Sequence, residues 1–190
     1  MVLFNYLLYR DIHSKKASAL DTQTNAFCAA GMHLPDGRYG LFGGNAAVGP
    51  GGDNSDGSNT TFDATYDDWD GRRAIRIFNK CDENTQCGVS DNVTQMAKNR
   101  WYPGCEALGD GTLVLIGGYT GGGYINRNYP NIDTAYEGGA AEPTFEFYPS
   151  ASIPPEILQF LLLTSGLNSY PLTYLMPSGN ILLQANYSTG

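Results

Sequence analysis

The chain has 190 residues, enough for one domain with a core, and its 42% hydrophobic and 12% aromatic content is that of a globular protein rather than a disordered one. A net charge of −8, with no cluster of Lys or Arg, offers no surface for nucleic acid or for anionic lipid. Twenty-four glycines and thirteen tyrosines beside only 16% charged residues favour short strands joined by tight turns, so an all-β fold is expected.

The opening MVLFNYLLYR lacks a basic leader and a small-residue cleavage site, which makes it a poor signal peptide and a better β-strand belonging to something longer. Next comes the first of three related stretches. HLPDGRYGLFGG turns at Gly37, ALGDGTLVLIGG at Gly111 and YLMPSGNILLQA at Gly179, with spacings of 74 and 68 residues. Each reads as an apolar strand, a hairpin turn and a second β-rich strand, and the first two end in Gly-Gly. Gly-Gly after a hydrophobic strand marks the blades of kelch-type propellers, whose period is about 50 residues, so the excess is assigned to insertions.

Propellers close with roughly 4–8 blades of four strands. Residues 1–190 are therefore expected to form an arc of about three blades of a seven-bladed ring, both ends falling inside blades, with no separate second domain. An open β-sandwich of repeated hairpins is the structural alternative, and the near-equal spacing argues against it.

Residues 50–71 form an insertion rich in Asp and Gly. It lacks the alternating D-x-D-x-D-G register and closing glutamate of a calcium loop, and a solvated, glycosylated connection is the better reading. The sequons at Asn59, Asn92 and Asn186, with the pair Cys81 and Cys87 around a polar loop, point to a secreted, oxidised protein and to a small disulfide loop. Gly121–Gly123 is followed by no Lys-Ser/Thr and no helix, so a turn explains it better than phosphate binding. The apolar run Ile157–Leu163 is interrupted by Gln159 and is far shorter than the ~20 residues of a membrane span.

Counting back nine residues from each turn glycine reaches Cys28, Tyr102 and Tyr170. All three hold one station at the start of equivalent strands, and equivalent stations on successive blades are neighbours around a propeller axis. Cys28 and Tyr102 are thus expected to meet. Packing of a sulfur on a phenol ring is one outcome of such a meeting. A disulfide between Cys28 and Cys105 is another, although strand alternation sends positions 102 and 105 to opposite faces.

The stretches FCAAGMHLPDG, KNRWYPGCEALGDG, LVLIGGYTGGGYINRNYP and NSYPLTYLMPSG together resemble the N-terminal portion of the fungal glyoxal oxidases, members of the copper-radical oxidase family that includes galactose oxidase. The resemblance runs over nearly the whole chain, and RWYPG is its most specific part. It implies a thioether crosslink between Cys28 and a ring carbon of Tyr102, with the Tyr102 oxygen binding copper. Sulfur donates electron density to the ring and makes a phenoxyl radical accessible to a mild oxidant. The implied reaction takes the hydrate of a small aldehyde to a carboxylic acid while O2 is reduced to hydrogen peroxide, outside the cell.

Tyr170 is expected to line the substrate pocket, or else to plug the channel as an aromatic. Arg100 and Trp101 stand where they could orient Tyr102. The family's stacking tryptophan is replaced by Thr120, as in glyoxal oxidases, which tilts the substrate toward small aldehydes. The family also requires a Tyr-His pair and a further histidine as copper ligands. Here only His13 and His33 exist, neither after a tyrosine, so both are read as structural or exposed and the remaining blades of the same protein are expected to supply the ligands. The alternative function is a non-catalytic extracellular propeller scaffold or binding module.

Overall fold

The structure, a computed structural model, describes residues 6–52, 61–82, 87–121, 141–150, 152–164 and 169–185. Regular structure among them is almost entirely antiparallel β, arranged in several small sheets. Strands β1 (Tyr6–Arg10) and β2 (Ala17–Asp21) form a hairpin. A first four-stranded sheet has the order β3 (Ala30–His33), β4 (Tyr39–Phe42), β7 (Ala74–Asn79), β8 (Gly88–Gln95). Within the insertion, β5 (Phe62–Asp63) and β6 (Asp68–Trp69) make a small hairpin of their own. The second four-stranded sheet runs β9 (Gly104–Ala107), β10 (Leu113–Ile116), β11 (Thr144–Tyr148), β12 (Glu156–Ile157). A third hairpin pairs β13 (Leu172–Leu175) with β14 (Ile181–Gln184). The apolar run near residue 160 forms a single-turn helix, α1 (Gln159–Leu163).

The three repeats share one local geometry. Gly37, Gly111 and Gly179 have φ of 87°, 87° and 85°, the left-handed region that a side chain disfavours. Their N–H groups donate to Leu34, Leu108 and Met176 carbonyls at 2.9, 3.0 and 2.8 Å, and the N–H groups of those same residues donate to Arg38, Thr112 and Asn180 at 2.8 Å each. This is a tight turn followed by a left-handed glycine, a hairpin connection whose twist matches that of the strands it joins. The spacing of the glycines therefore sets the register of three separate hairpins.

Successive repeats pack face to face, with their first strands side by side: β3 and β13 each lie against β9. Strand alternation sends Leu113 and Leu115 of β10 toward the first sheet, where they are buried with Leu34, Phe42, Ile75, Ile77 and Met96. Val114 and Ile116 point the other way, into a cluster with Leu161, Ala185, Ile181 and Leu183. One strand thus seals two interfaces, and its four side chains are all buried, each burial contributing about 1.5–3 kcal/mol. A strand read as LVLI, apolar on both faces, has this position between two layers as its physical reason.

The Gly-Gly pairs end β4 and β10 where another segment passes very close. A Cβ on Gly43 would collide with the Arg100 carbonyl oxygen, and one on Gly118 would stand 2.7 Å from the Trp101 carbonyl oxygen. Two fully buried arginines complete these junctions. Arg76 donates from Nη1 to the Gly43 carbonyl at 2.7 Å, and Arg100 from Nη1 to the Gly117 carbonyl at 2.9 Å. Arg76 also donates to Thr24 Oγ1 and lies 3.5 Å from Asp91, which the shifted register of β8 opposite Ile75–Ile77 brings inward. Arg100 pairs with Glu146 at 2.9 Å. Burial lowers both guanidinium pKa values, Arg76 to about 10, while the neighbouring carboxylates oppose the shift.

Candidate functional site

Cys28, Tyr102 and Tyr170 each sit two residues before a repeat's first strand, and the backbone there is the same in all three. Their φ values are 62°, 61° and 45°, left-handed conformations that cost of order 1–3 kcal/mol for a residue with a side chain. The chain turns sharply at each station before entering its strand. The stations are also bonded to one another: the Tyr102 N–H donates to the Cys28 carbonyl at 3.2 Å, and the Tyr170 N–H donates to the Tyr102 carbonyl at 2.8 Å. Residues 74 and 68 apart in sequence thus stand in a row, so the expected meeting of Cys28 and Tyr102 is observed.

The side chains converge as well. Cys28 and Tyr102, both half-buried, pack on a cluster of Trp101, Tyr119 and Ala141. The Tyr102 ring lies 4.5 Å from that of Trp101, 4.9 Å from that of Tyr170 and 6.4 Å from that of Tyr119, the last two edge to face. Tyr170 is 41% exposed and forms the open side of the group. Burial pushes its phenol pKa up, and a hydrogen bond with the Cys28 side chain and the proximity of Tyr102 push it further the same way.

Arg100 and Trp101 divide the roles considered for them. Trp101 packs on Tyr102, whereas the Arg100 guanidinium points away into the Glu146 junction and supports the site through the backbone, its carbonyl accepting the Gly44 N–H at 3.1 Å. Thr120 uses its carbonyl to accept from Arg72 and Asn99. The residue that sequence reasoning missed is Tyr119. Fully buried, it faces Tyr102 edge-on and its hydroxyl accepts a 2.9 Å hydrogen bond from Ser169 Oγ. An aromatic directly after Gly-Gly was its only signal.

Cys105 belongs elsewhere. It packs in the cluster between the two large sheets, and burial pushes its thiol pKa up to about 12. Neither Cys28 nor Cys105 is in a disulfide. Cys81 and Cys87 are disulfide-bonded, as their spacing suggested. Of the sequons, Asn92 lies on β8, while Asn59 and Asn186 fall outside the described residues.

His13 and His33 are both exposed and stand away from the tyrosine group, on a cleft of about 1090 Å³ behind the first sheet, where His33 meets Tyr39 edge-on at 4.9 Å. Among the described residues no group of three or more His, Cys, Asp or Glu could hold a metal ion. Tyr102 offers copper one oxygen, and the residues around it add no imidazole. These residues alone do not constitute the nitrogen and oxygen set that copper(II) prefers. No helix among them is long and apolar enough to cross a membrane.

No protein-family model matches the chain. It is similar to a "WSC domain-containing protein" of Arthroderma benhamiae, 25% identical over 183 residues, which is 92% of this chain and 16% of that protein. It is equally similar to "Putative aldehyde oxidase Art an 7" of Artemisia annua, 25% identical over 182 residues, 93% of this chain and 24% of the relative. The chain thus spans about a quarter or less of the length of these curated relatives.

Proposed function

We propose that this chain carries the cysteine–tyrosine half of an extracellular copper-radical aldehyde oxidase of the glyoxal oxidase kind, within an arc of a kelch-type propeller. The observation that carries the reading is the pairing of Cys28 with Tyr102: same station, same left-handed backbone, a direct backbone hydrogen bond, and side chains in one aromatic cluster. The row of stations along β3, β9 and β13 supports a radial arrangement of blades, and the Artemisia relative's description as an aldehyde oxidase supports the chemistry. The Cys81–Cys87 disulfide supports an oxidising compartment.

In this reading Tyr102 is the radical-bearing oxygen ligand, Cys28 its ortho sulfur, and Tyr170 the wall of the substrate pocket. Bound copper would supply one-electron capacity, and the cluster around Tyr102 would offer it the phenol oxygen and no imidazole. The chain's own contribution is to hold sulfur against ring and to present the pair at an opening. Trp101 and Tyr119 pack on the Tyr102 ring from the buried side, and the more exposed Tyr170 meets it edge to face. Substrate and co-substrate are then a small aldehyde and O2, giving a carboxylic acid and hydrogen peroxide.

The test is the crosslink. Formation of the C–S bond removes one hydrogen from the thiol and one from the ring, with O2 accepting the two electrons and two protons as hydrogen peroxide. In the protein that this reading implies, with its copper ligands present, exposure to copper(II) and O2 should lower the intact mass by two hydrogens in a form that thiol reductants do not reverse, and fragmentation should join the peptides of Cys28 and Tyr102. A chain that binds copper in air and keeps its full mass, or whose lost hydrogens return on reduction, refutes the oxidase reading and leaves the extracellular scaffold.

A further inference from the structure

Along the backbone the stations run Cys28, Tyr102, Tyr170, with Tyr102 in the middle, yet the two outer stations are joined as well. The Tyr170 side chain is hydrogen-bonded to that of Cys28. The bond favours the protonated phenol, which is the effect of a hydroxyl that donates, so the sulfur is the acceptor. The same Tyr170 ring meets Tyr102 edge to face at 4.9 Å, while Cys28 and Tyr102 pack on one cluster. Sulfur and both phenols thus form one connected set of contacts.

The backbone on both sides of this contact is held independently of it. Before Cys28, Asn25 Oδ1 accepts from the Phe27 N–H at 2.9 Å, and Asn25 Nδ2 donates to the Ala46 carbonyl at 3.1 Å and to Asp68 Oδ2 at 2.9 Å. The Ala29 N–H closes the turn on the Ala26 carbonyl at 3.1 Å. On the other side, the Tyr170 N–H donates to the Tyr102 carbonyl at 2.8 Å, and Gly104 passes the Pro171 carbonyl so closely that a side chain there would collide. These bonds leave one freedom at Cys28, its single side-chain torsion with three staggered wells. A hydroxyl carried on a rigid ring from an anchored backbone is a stationary donor, and it selects the well that brings the sulfur to it.

We propose that Tyr170 is a positioning residue whose hydroxyl holds the Cys28 sulfur in one rotamer beside the Tyr102 ring, in the free protein and before any bond joins the two. Its part in forming that bond rests on the cysteine–tyrosine reading; the restraint on the sulfur rests on geometry alone. A single neutral hydrogen bond biases an equilibrium about fivefold. Applied to one of three otherwise equal wells, that bias fills it to about 70%, and its loss returns the well to about a third. The sulfur would then be in place about half as often.

Nuclear magnetic resonance of the copper-free, full 190-residue chain with isotope-labelled cysteine tests it, the Cys28 signals being identified by their loss in Cys28→Ser. In the wild type, three-bond couplings about the Cys28 torsion should report one predominant rotamer, and the Cys28 β-protons should show Overhauser contacts to the ring protons of both Tyr102 and Tyr170. Tyr170→Phe keeps the ring and removes only the hydroxyl, and should average the couplings toward equal wells. Tyr174→Phe, which removes a hydroxyl from β13, should leave them unchanged. In the protein with its copper ligands present, Tyr170→Phe should form the thioether about twofold more slowly. Couplings already averaged in the wild type, no contact between Cys28 and the Tyr170 ring, or couplings that Tyr170→Phe leaves untouched would each overturn the proposal; the first two need no variant. A wild type with the restrained sulfur but no crosslink under copper(II) and O2 would instead sink the oxidase reading and leave the restraint standing.

Discussion

Replacing Arg100 by lysine keeps the charge and removes the planar fork, which makes it a sharp probe of how the site's backbone is held. The guanidinium is fully buried and donates to Glu146 Oε1, to the Gly117 and Thr144 carbonyls and to Thr144 Oγ1, all at 2.9 Å. A single ammonium on a shorter reach serves the Glu146 carboxylate and loses the others. Thr144 tolerates the loss, since its carbonyl still accepts from the Gly117 N–H at 3.0 Å and its hydroxyl still donates to Glu142 at 2.6 Å. The Gly117 carbonyl is left without its charged donor, and the ammonium is more costly to desolvate than the guanidinium. Together these are worth about 3 kcal/mol. For a chain of this size that lowers Tm by roughly 6–12 °C. Urea unfolding followed by circular dichroism should show a lower midpoint at constant slope. A loss below ~1 kcal/mol would refute the assignment of a structural role to the fork. Arg100→Met, which strands the Glu146 charge, should cost more, about 3–5 kcal/mol, and adding Glu146→Leu should recover part of it.

Three further outcomes follow from the geometry. Gly43→Ala and Gly179→Ala both force a side chain into a left-handed turn, but only the first also meets a carbonyl oxygen, so Gly179→Ala should cost about 1 kcal/mol in denaturant unfolding and Gly43→Ala at least ~2 kcal/mol more. Because burial raises the native Cys105 pKa from 9.0 to about 12, the folded protein binds the extra proton, so this group's contribution is complete below pH 9 and fades as pH climbs toward 12; Cys105→Ala should flatten that alkaline decline in a stability profile, and native Cys105 should resist alkylation at pH 8 until urea is added. Cys28→Ser and Tyr102→Phe address the site: the first should abolish the loss of two hydrogens under copper(II) and O2, whereas the second, which keeps a ring but not the phenol oxygen, should abolish both the loss and any thiol-resistant crosslink. Survival of the crosslink in either variant would place it on another pair.

What the sequence revealed was whatever glycine dictated. Gly37, Gly111 and Gly179 occupy backbone angles that other residues disfavour, so their spacing exposed the hairpins, and a constant count back from them found Cys28, Tyr102 and Tyr170. The backbone at those stations was hidden, because a cysteine and two tyrosines adopt there an angle normally betrayed by glycine. Arg76 and Arg100 were equally opaque: arginine reads as solvent-facing, and only the fold brings enough carbonyls and carboxylates around each to bury it. The hairpin β5–β6 lay concealed in an Asp-rich stretch, where Phe62 pairs across it with Trp69 and the two rings meet at 4.5 Å. The run containing Phe160 became a helix because Leu161 could reach the cluster beneath the second sheet.

The row of stations has an implication for ancestry. If one hairpin unit is copied in tandem, each copy of a given codon comes to lie beside its own duplicates in space, although dozens of residues intervene along the chain. Two point changes, to cysteine in one copy and tyrosine in the next, are then sufficient to create a reactive couple, with no loop to rebuild and no strand to redirect. In such a history the adjacency comes from the copying itself and precedes any use made of it.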